Sequence, residues 1–167
     1  MRAARAARPD PAPEAAPLQV VAFMLVRVGG RWFALPAHMV QQVAVKRAVT
    51  RVPAAGRHVL GVTSLRGGLV PVISLEQMIG VVGPGPSDSA AALPRLVVVR
   101  AGECEIALVV DEIRGIIELP AVPGVKASGA GRPGFLREEL DWEGTRVCVL
   151  DVALLVAAAA GSSQEGD

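Results

Sequence analysis

The sequence predicts an all-β protein, a barrel or a sandwich, and three observations lead there. Short runs rich in Val, Leu and Ile recur along the 167 residues and are joined by glycine turns. The chain is 51% hydrophobic but only 3% aromatic, so its core must be built from Val, Leu, Ile and Ala. A proline- and glycine-rich break near residue 90 divides the strands into two sets of similar size, with no obvious sequence repeat between them.

The elements follow in order. Residues 1–17 are Ala, Arg and Pro with little to bury, the composition of a disordered tail. Residues 18–28 read as a strand, Gly29-Gly30 as a two-residue turn and 31–35 as the returning strand. Pro36 stops that strand and starts one helical turn as far as Gln41. Residues 42–52 are β-prone, with Lys46, Arg47 and Arg51 turning part of the stretch to water, and 53–57 form a loop. The stretch 59–75, VLGVTSLRGGLVPVISL, places two apolar β-rich runs on either side of Arg66-Gly67-Gly68, a hairpin pattern. Gly61 inside the first run suggests a bulge or a close backbone approach. Pro71 in the second run lacks an N–H and asks for an edge or an irregular position. A short helix over 75–79 ends at Gly80, and 81–94 form a linker. A second hairpin joins 95–100 to 105–110, and a strand follows over 111–119. Residues 120–134, rich in Pro and Gly, read as an irregular, mobile surface loop. Residues 135–142 and 145–150 pair around Glu143-Gly144. Asp151 is the N-cap of a short helix to Ala160, and 161–167 are a polar tail.

Composition and motifs then narrow the function. A net charge of +1 gives no electrostatic reason to expect nucleic acid. The apolar run 18–28 is too short to span a bilayer and contains Gln19 and Arg27, and no continuous apolar stretch resembles a signal peptide, so a soluble cytoplasmic protein is expected. Cys104 and Cys148 lie in β-like runs far apart and read as small buried apolar residues. His38 and His58 have no metal-ligand spacing with Cys, Asp or Glu. Asp111-Glu112 and Glu138-Glu139 are adjacent on strands, so each pair points to opposite faces and makes no carboxylate dyad. No phosphate loop, nucleophile elbow or dinucleotide fingerprint occurs. The expectation is a protein with no catalytic residues, metal or cofactor, which works by contact.

The chain resembles the CheW-type chemotaxis coupling proteins, whose domain also forms the regulatory end of chemotaxis histidine kinases. The resemblance is carried by GVTSLRGGLVPVISL, with FMLVRVGGRWFALPAHMVQQV, TRVP, IALVVDEI and VCVLDVALL in the family's order. It implies two five-stranded SH3-like β-barrels packed across a shared hydrophobic junction, with a short C-terminal helix. On this reading residues 18–160 are one CheW-like domain, with a first barrel over 18–80, a second over 95–150 and the helix over 151–160. It also implies a non-enzymatic adaptor that joins a chemoreceptor signalling tip to the regulatory domain of a CheA-type histidine kinase, and that contacts other CheW-like domains at barrel ends. The alternative is the same fold serving as a scaffold for localisation or motility outside a chemoreceptor array. A small enzyme with an unfamiliar site is a third possibility.

The partner-binding candidates are Val40, Gln42, Gly61, Val62, Arg66, Gly67, Val110, Asp111 and Ile113. Each has a plainer reading. Gly61 and Gly67 are also backbone requirements, and Val40, Val62, Val110 and Ile113 are also core. Arg66, the motif arginine that the resemblance links to receptor coupling, is either a partner contact or a tie between the barrels through backbone carbonyls. Asp111 is a turn cap or a partner contact. Gln42 stands where relatives usually carry a glutamate able to pair with the motif arginine, so the charge assistance of that pair is lost here. Ser64 and Ser74 replace a common Asn and Asp, and Arg137-Glu138 stands where relatives often carry a Gly-Val-like pair.

Overall fold

The strands Val20–Val28, Arg31–Pro36, Arg95–Ala101 and Cys104–Val110 bury apolar side chains on both of their faces, and the architecture follows from burying both. The computed structural model describes residues 19–45, 48–81, 94–120, 125–126 and 134–161. The expectations for the N-terminal tail, for 82–93 of the linker, for most of 120–134 and for 162–167 lie outside the described residues, as do Lys46 and Arg47. The order is β1 (Val20–Val28), β2 (Arg31–Pro36), a 3₁₀ turn (Ala37–Met39), β3 (Val40–Val45), β4 (Val59–Leu65), β5 (Gly68–Ser74) and α1 (Leu75–Ile79). Then come β6 (Arg95–Ala101), β7 (Cys104–Val110), β8 (Glu112–Pro120), β9 (Val125–Lys126), β10 (Leu136–Trp142), β11 (Thr145–Leu150) and α2 (Val152–Gly161). Both helices start on the side chain of the preceding residue. Ser74 Oγ accepts from Gln77 N–H at 3.4 Å, and Asp151 Oδ1 accepts from Leu154 N–H at 3.1 Å.

The strands form two sheets, in the orders β8-β1-β2-β11-β10-β9 and β3-β6-β7-β5-β4. This corrects the division of the chain into a first barrel over 18–80 and a second over 95–150. The first sheet takes β1 and β2 from the N-terminal half and its other strands from the C-terminal half; the second takes β6 and β7 from the C-terminal half and its other strands from the N-terminal half. Each half thus hands its first hairpin to the other's sheet. The two sheets share one topology. In each, a hairpin's second strand runs parallel to a strand that leads into a helix: β2 beside β11 before α2, and β7 beside β5 before α1. With the turns aligned, Val26-Arg27-Val28-Gly29 corresponds to Val99-Arg100-Ala101-Gly102, and Phe33-Ala34-Leu35 to Ile106-Ala107-Leu108. An internal repeat is therefore present, faint in sequence and plain in topology.

Period-two alternation sends successive side chains into different cores. On β1, Phe23 and Leu25 enter the interior of the first sheet, while Met24, Val26 and Val28 enter the layer between the sheets. On β6, Leu96 and Val98 enter the second sheet's interior, while Val97 and Val99 enter the shared layer. Two curled, SH3-like subdomains therefore pack across one aliphatic junction, which α1, α2 and Val81 also line.

Local irregularities have local causes. The chain leaving β3 returns to β4 through paired hydrogen bonds between Thr50 and Val62, at 2.9 and 2.8 Å. Gly61 sits beside this bridge with φ 148°, and a Cβ there would lie 2.1 Å from the Thr50 carbonyl oxygen. That is the close backbone approach its place in the strand pattern implied, with a register shift between Val59 and Gly61. Pro71 is in β5, an interior strand and not an edge. It faces Val62, whose N–H and C=O are already taken by Thr50, so its ring nitrogen is on the β7 side. The parallel ladder with β7 begins only at Val72, so no hydrogen bond is lost. Of the β-prone stretch 42–52, only the part within β3 and the Thr50 bridge is strand. Cys104 also departs from expectation: it is exposed, just past the Gly102-Glu103 turn.

Gly61 and Gly67 give a paired test. Gly61→Ala meets a backbone oxygen and is expected to cost about 3–5 kcal/mol. Gly67 has open space around its missing Cβ and φ 79°, so Gly67→Ala is expected to cost about 1–2 kcal/mol from conformation alone. Urea unfolding of both variants measures this, and similar costs would contradict the closure role of Gly61.

Candidate functional site

The β4–β5 hairpin ends at the Leu65–Gly68 pair, leaving Arg66 and Gly67 as the two turn residues. Both have positive φ, 49° and 79°, the combination a type I′ turn needs to match the right-handed twist of its strands. Arg66 is thus exposed at the tip of an apolar element. Beneath it the second subdomain's interior opens in a groove of about 240 Å³. Leu65, Val70 and Val98 form its apolar base, Gln41, Gln42, Arg66 and Glu105 stand around it, and Leu69, 74% exposed, forms a lip. Arg66 and Gln42 thus both line this groove. The Arg66 guanidinium makes no hydrogen bond or ion pair within the described residues, and among them no backbone carbonyl ties it to the other subdomain.

The other candidates separate. Val110 is fully buried in the shared layer and touches no surface, which makes it core and corrects its place among the partner contacts. Val40 and Ile113 pack against the same layer. Gly61 is buried beneath Thr50, and Val62 is half-buried at the bridge. Asp111 sits where β7 of one sheet passes into β8 of the other. Its Oδ2 accepts from Gly29 N–H at 2.9 Å, and its own N–H donates to the Arg27 carbonyl at 2.9 Å. It holds the β1–β2 turn from across the molecule, a cap as expected, with its partner 82 residues away in sequence.

A second surface is built of residues that the sequence reading did not single out. Residues paired across strands share a face, so Val20 and Pro120, and Met24 and Ile116, lie on the side of the first sheet that meets the second. Val43, opposite Val97, and Val45, opposite Arg95, lie on the corresponding side of the second sheet. There Ile116 is 63% and Val20 58% exposed, and Val43 and Val45 also remain open. These apolar residues, hereafter the seam, lie on the inter-sheet faces of their strands; on β3 that face is opposite Gln42. Sequence alone does not mark them, because only the sheet order makes β3 and β8 edges and leaves Val20 beyond the β1–β2 ladder.

The end of the first subdomain is differently furnished. Arg27 pairs with Glu112 at 2.8 Å and lies 5.9 Å above the Trp32 ring, and Arg114 lies 5.5 Å above Trp142. These exposed pairs order side chains more than they stabilise the fold. Cys148 is half-buried, with its thiol 3.9 Å from Glu139 Oε1; burial first, then the Glu139 charge, holds its pKa above the ordinary value. Among the described residues no group of three or more His, Cys, Asp or Glu is placed to hold a metal ion, and no helix is long and apolar enough to cross a membrane.

The CheW-like domain family matches residues 22–160. The chain belongs to that family. Over 80 residues it is 28% identical to the chemotaxis protein CheW of Thermotoga maritima, covering 48% of this chain and 50% of that one. The chain thus spans about half the length of this curated relative. Its fold is similar to the crystal structure of the scaffolding protein TtCheW from Thermoanaerobacter tengcongensis, with TM-score 0.71 and 18% identity, covering 81% of this chain and 91% of that one.

Two outcomes are expected. Asp111→Ala should speed hydrogen exchange at the Gly29 amide selectively and cost about 1–2 kcal/mol of unfolding free energy; an unchanged Gly29 rate would mean the tether is not formed in solution. At pH 8 in the native protein, a thiol reagent should label Cys104 quickly and Cys148 slowly. The Cys148 rate should rise as the pH is taken above the ordinary thiol range, because its thiolate forms later.

Proposed function

We propose that this chain is a non-enzymatic adaptor that couples a chemoreceptor signalling tip to a CheA-type histidine kinase. The observation that carries the reading is a CheW-like domain matched over residues 22–160, in a fold that leaves large apolar side chains exposed. The names of the relatives, a chemotaxis protein and a scaffolding protein, point the same way. The apolar seam with Val20, Ile116, Val43 and Val45 suits the helical receptor tip. The subdomain ends suit the kinase's regulatory domain or another CheW-like domain. Arg66 is then a contact at a subdomain end rather than in the seam, which sets it apart from the receptor coupling that the resemblance links to it. Such an adaptor works in the cytoplasm and is recruited to membrane receptor complexes. The second reading, a scaffold outside a chemoreceptor array, is favoured by the neutral Gln42, which does not supply Arg66 with the carboxylate that the resemblance implies at that position.

The test is a binding titration against the kinase regulatory domains encoded with this chain, with and without a receptor-tip fragment. Binding of one kinase domain, strengthened by the fragment, is expected. Ile116→Glu should weaken the receptor fragment by about tenfold or more and spare the kinase domain, whereas Arg66→Glu should do the reverse. Binding of neither partner by the wild type would favour the second reading.

A further inference from the structure

We infer that the groove beneath Arg66 receives a protein segment in which an aliphatic side chain lies beside a carboxylate. The inference deepens the adaptor reading by giving the chemistry of a partner at this subdomain end. It rests on three features of the groove. The Arg66 guanidinium is exposed, held by a turn at the rim, and unpaired within the described residues. Gln42, half-buried beside it, is an amide and supplies no neutralising charge. The base beneath is apolar and rooted in the subdomain's own core through Val70 and Val98, and Leu69 stands open at the lip.

A guanidinium beside an exposed leucine takes a carboxylate together with an aliphatic side chain. The carboxylate forms charge-assisted, bidentate hydrogen bonds, and the aliphatic group covers Leu69. Glu105 across the groove sets polarity. A carboxylate placed on its side is repelled, so the occupant's acidic group is directed to Arg66 and a basic or hydrogen-bond-donating group to Glu105. The β10–β11 turn of a second copy is a poor source of this segment, because its Asp141 is paired in register with Arg146 and already accepts from Gly144 N–H. The groove is therefore assigned to a distinct partner segment that brings a carboxylate and an aliphatic side chain to Arg66 and Leu69, and a donor group to Glu105.

The experiment pans a random-peptide display library on the full chain and measures the enriched peptides by fluorescence anisotropy. Enrichment of sequences with Asp or Glu close to Leu, Ile or Val is expected. A representative peptide should bind Arg66→Glu about tenfold or more weakly, and replacing its acidic residue by Lys should restore binding to that variant. Glu105→Lys, at a site that does not form the turn, should tighten the acidic peptide and controls for misfolding of the hairpin. Enrichment without acidic residues, or equal affinity for wild type and Arg66→Glu, would overturn the inference. Self-association of the wild type that Arg66→Glu abolishes would also overturn it, by giving the groove to a second copy. Failure of the adaptor reading looks different: the peptides respond to Arg66→Glu while neither kinase domain nor receptor tip binds.

Discussion

The shared aliphatic layer between the two sheets is the constraint on which the rest of the structure depends. Met24, Val26, Phe33 and Leu35 reach it from one sheet and Ile73, Val97, Val99 and Leu108 from the other, each with little or no exposure. Burying one such side chain is worth roughly 1.5–3 kcal/mol. The small hairpin interiors could not hold the fold alone: the second sheet's own interior is built mostly of valines, with Leu96 and Ala107. Because each strand must satisfy both its own interior and the common layer, its register is strongly specified. A one-residue slip would exchange the two sets of side chains.

That layer also explains the strand exchange. A hairpin such as β1–β2 is apolar on both sides and has no solvent face, so it must lie between two apolar partners. Placing it in the sheet built from the other half of the chain makes the two subdomains inseparable. The crossing points are then fixed by short local devices. The 3₁₀ turn carries β2 into β3, and Asp111 carries β7 into β8 while holding the Gly29 turn. The cost is entropic, since pairing β1 with β8 and β2 with β11 joins segments far apart in sequence, and it is offset by the continuity of the apolar layer.

The candidate surfaces lie where this packing runs out. One is the seam, where neither sheet covers Ile116 of β8, Val20 at the start of β1 or Val43 of β3. The other is the mouth under Arg66, where an interior core opens to water. Half of the second site was legible in the sequence. Arg66 follows from the hairpin motif, and Gln42 from the position opposite it that the resemblance supplied. Glu105 was hidden because it lies in another hairpin, and it reaches the groove only through the parallel pairing of β7 with β5. Val110 was misplaced for a related reason. It and Asp111 adjoin in sequence, but the chain leaves one sheet between them, so one is core and the other surface.

What the sequence determined by itself is the set of features that depend on a few neighbouring residues. The glycine turns, the stop at Gly80, the Asp151 cap and the close approach at Gly61 all follow from local steric and hydrogen-bonding rules. Period-two apolar runs determined the strands, and the aliphatic composition determined the kind of core. Tertiary structure alone decided which hairpin joined which sheet, that β5 is interior despite Pro71, and that Cys104 faces water. The physical reason is that the two halves carry hairpins of the same pattern, so local energies are nearly equal whether a hairpin pairs within its own half or with the other. Only burial of both strand faces in a common layer separates the two arrangements.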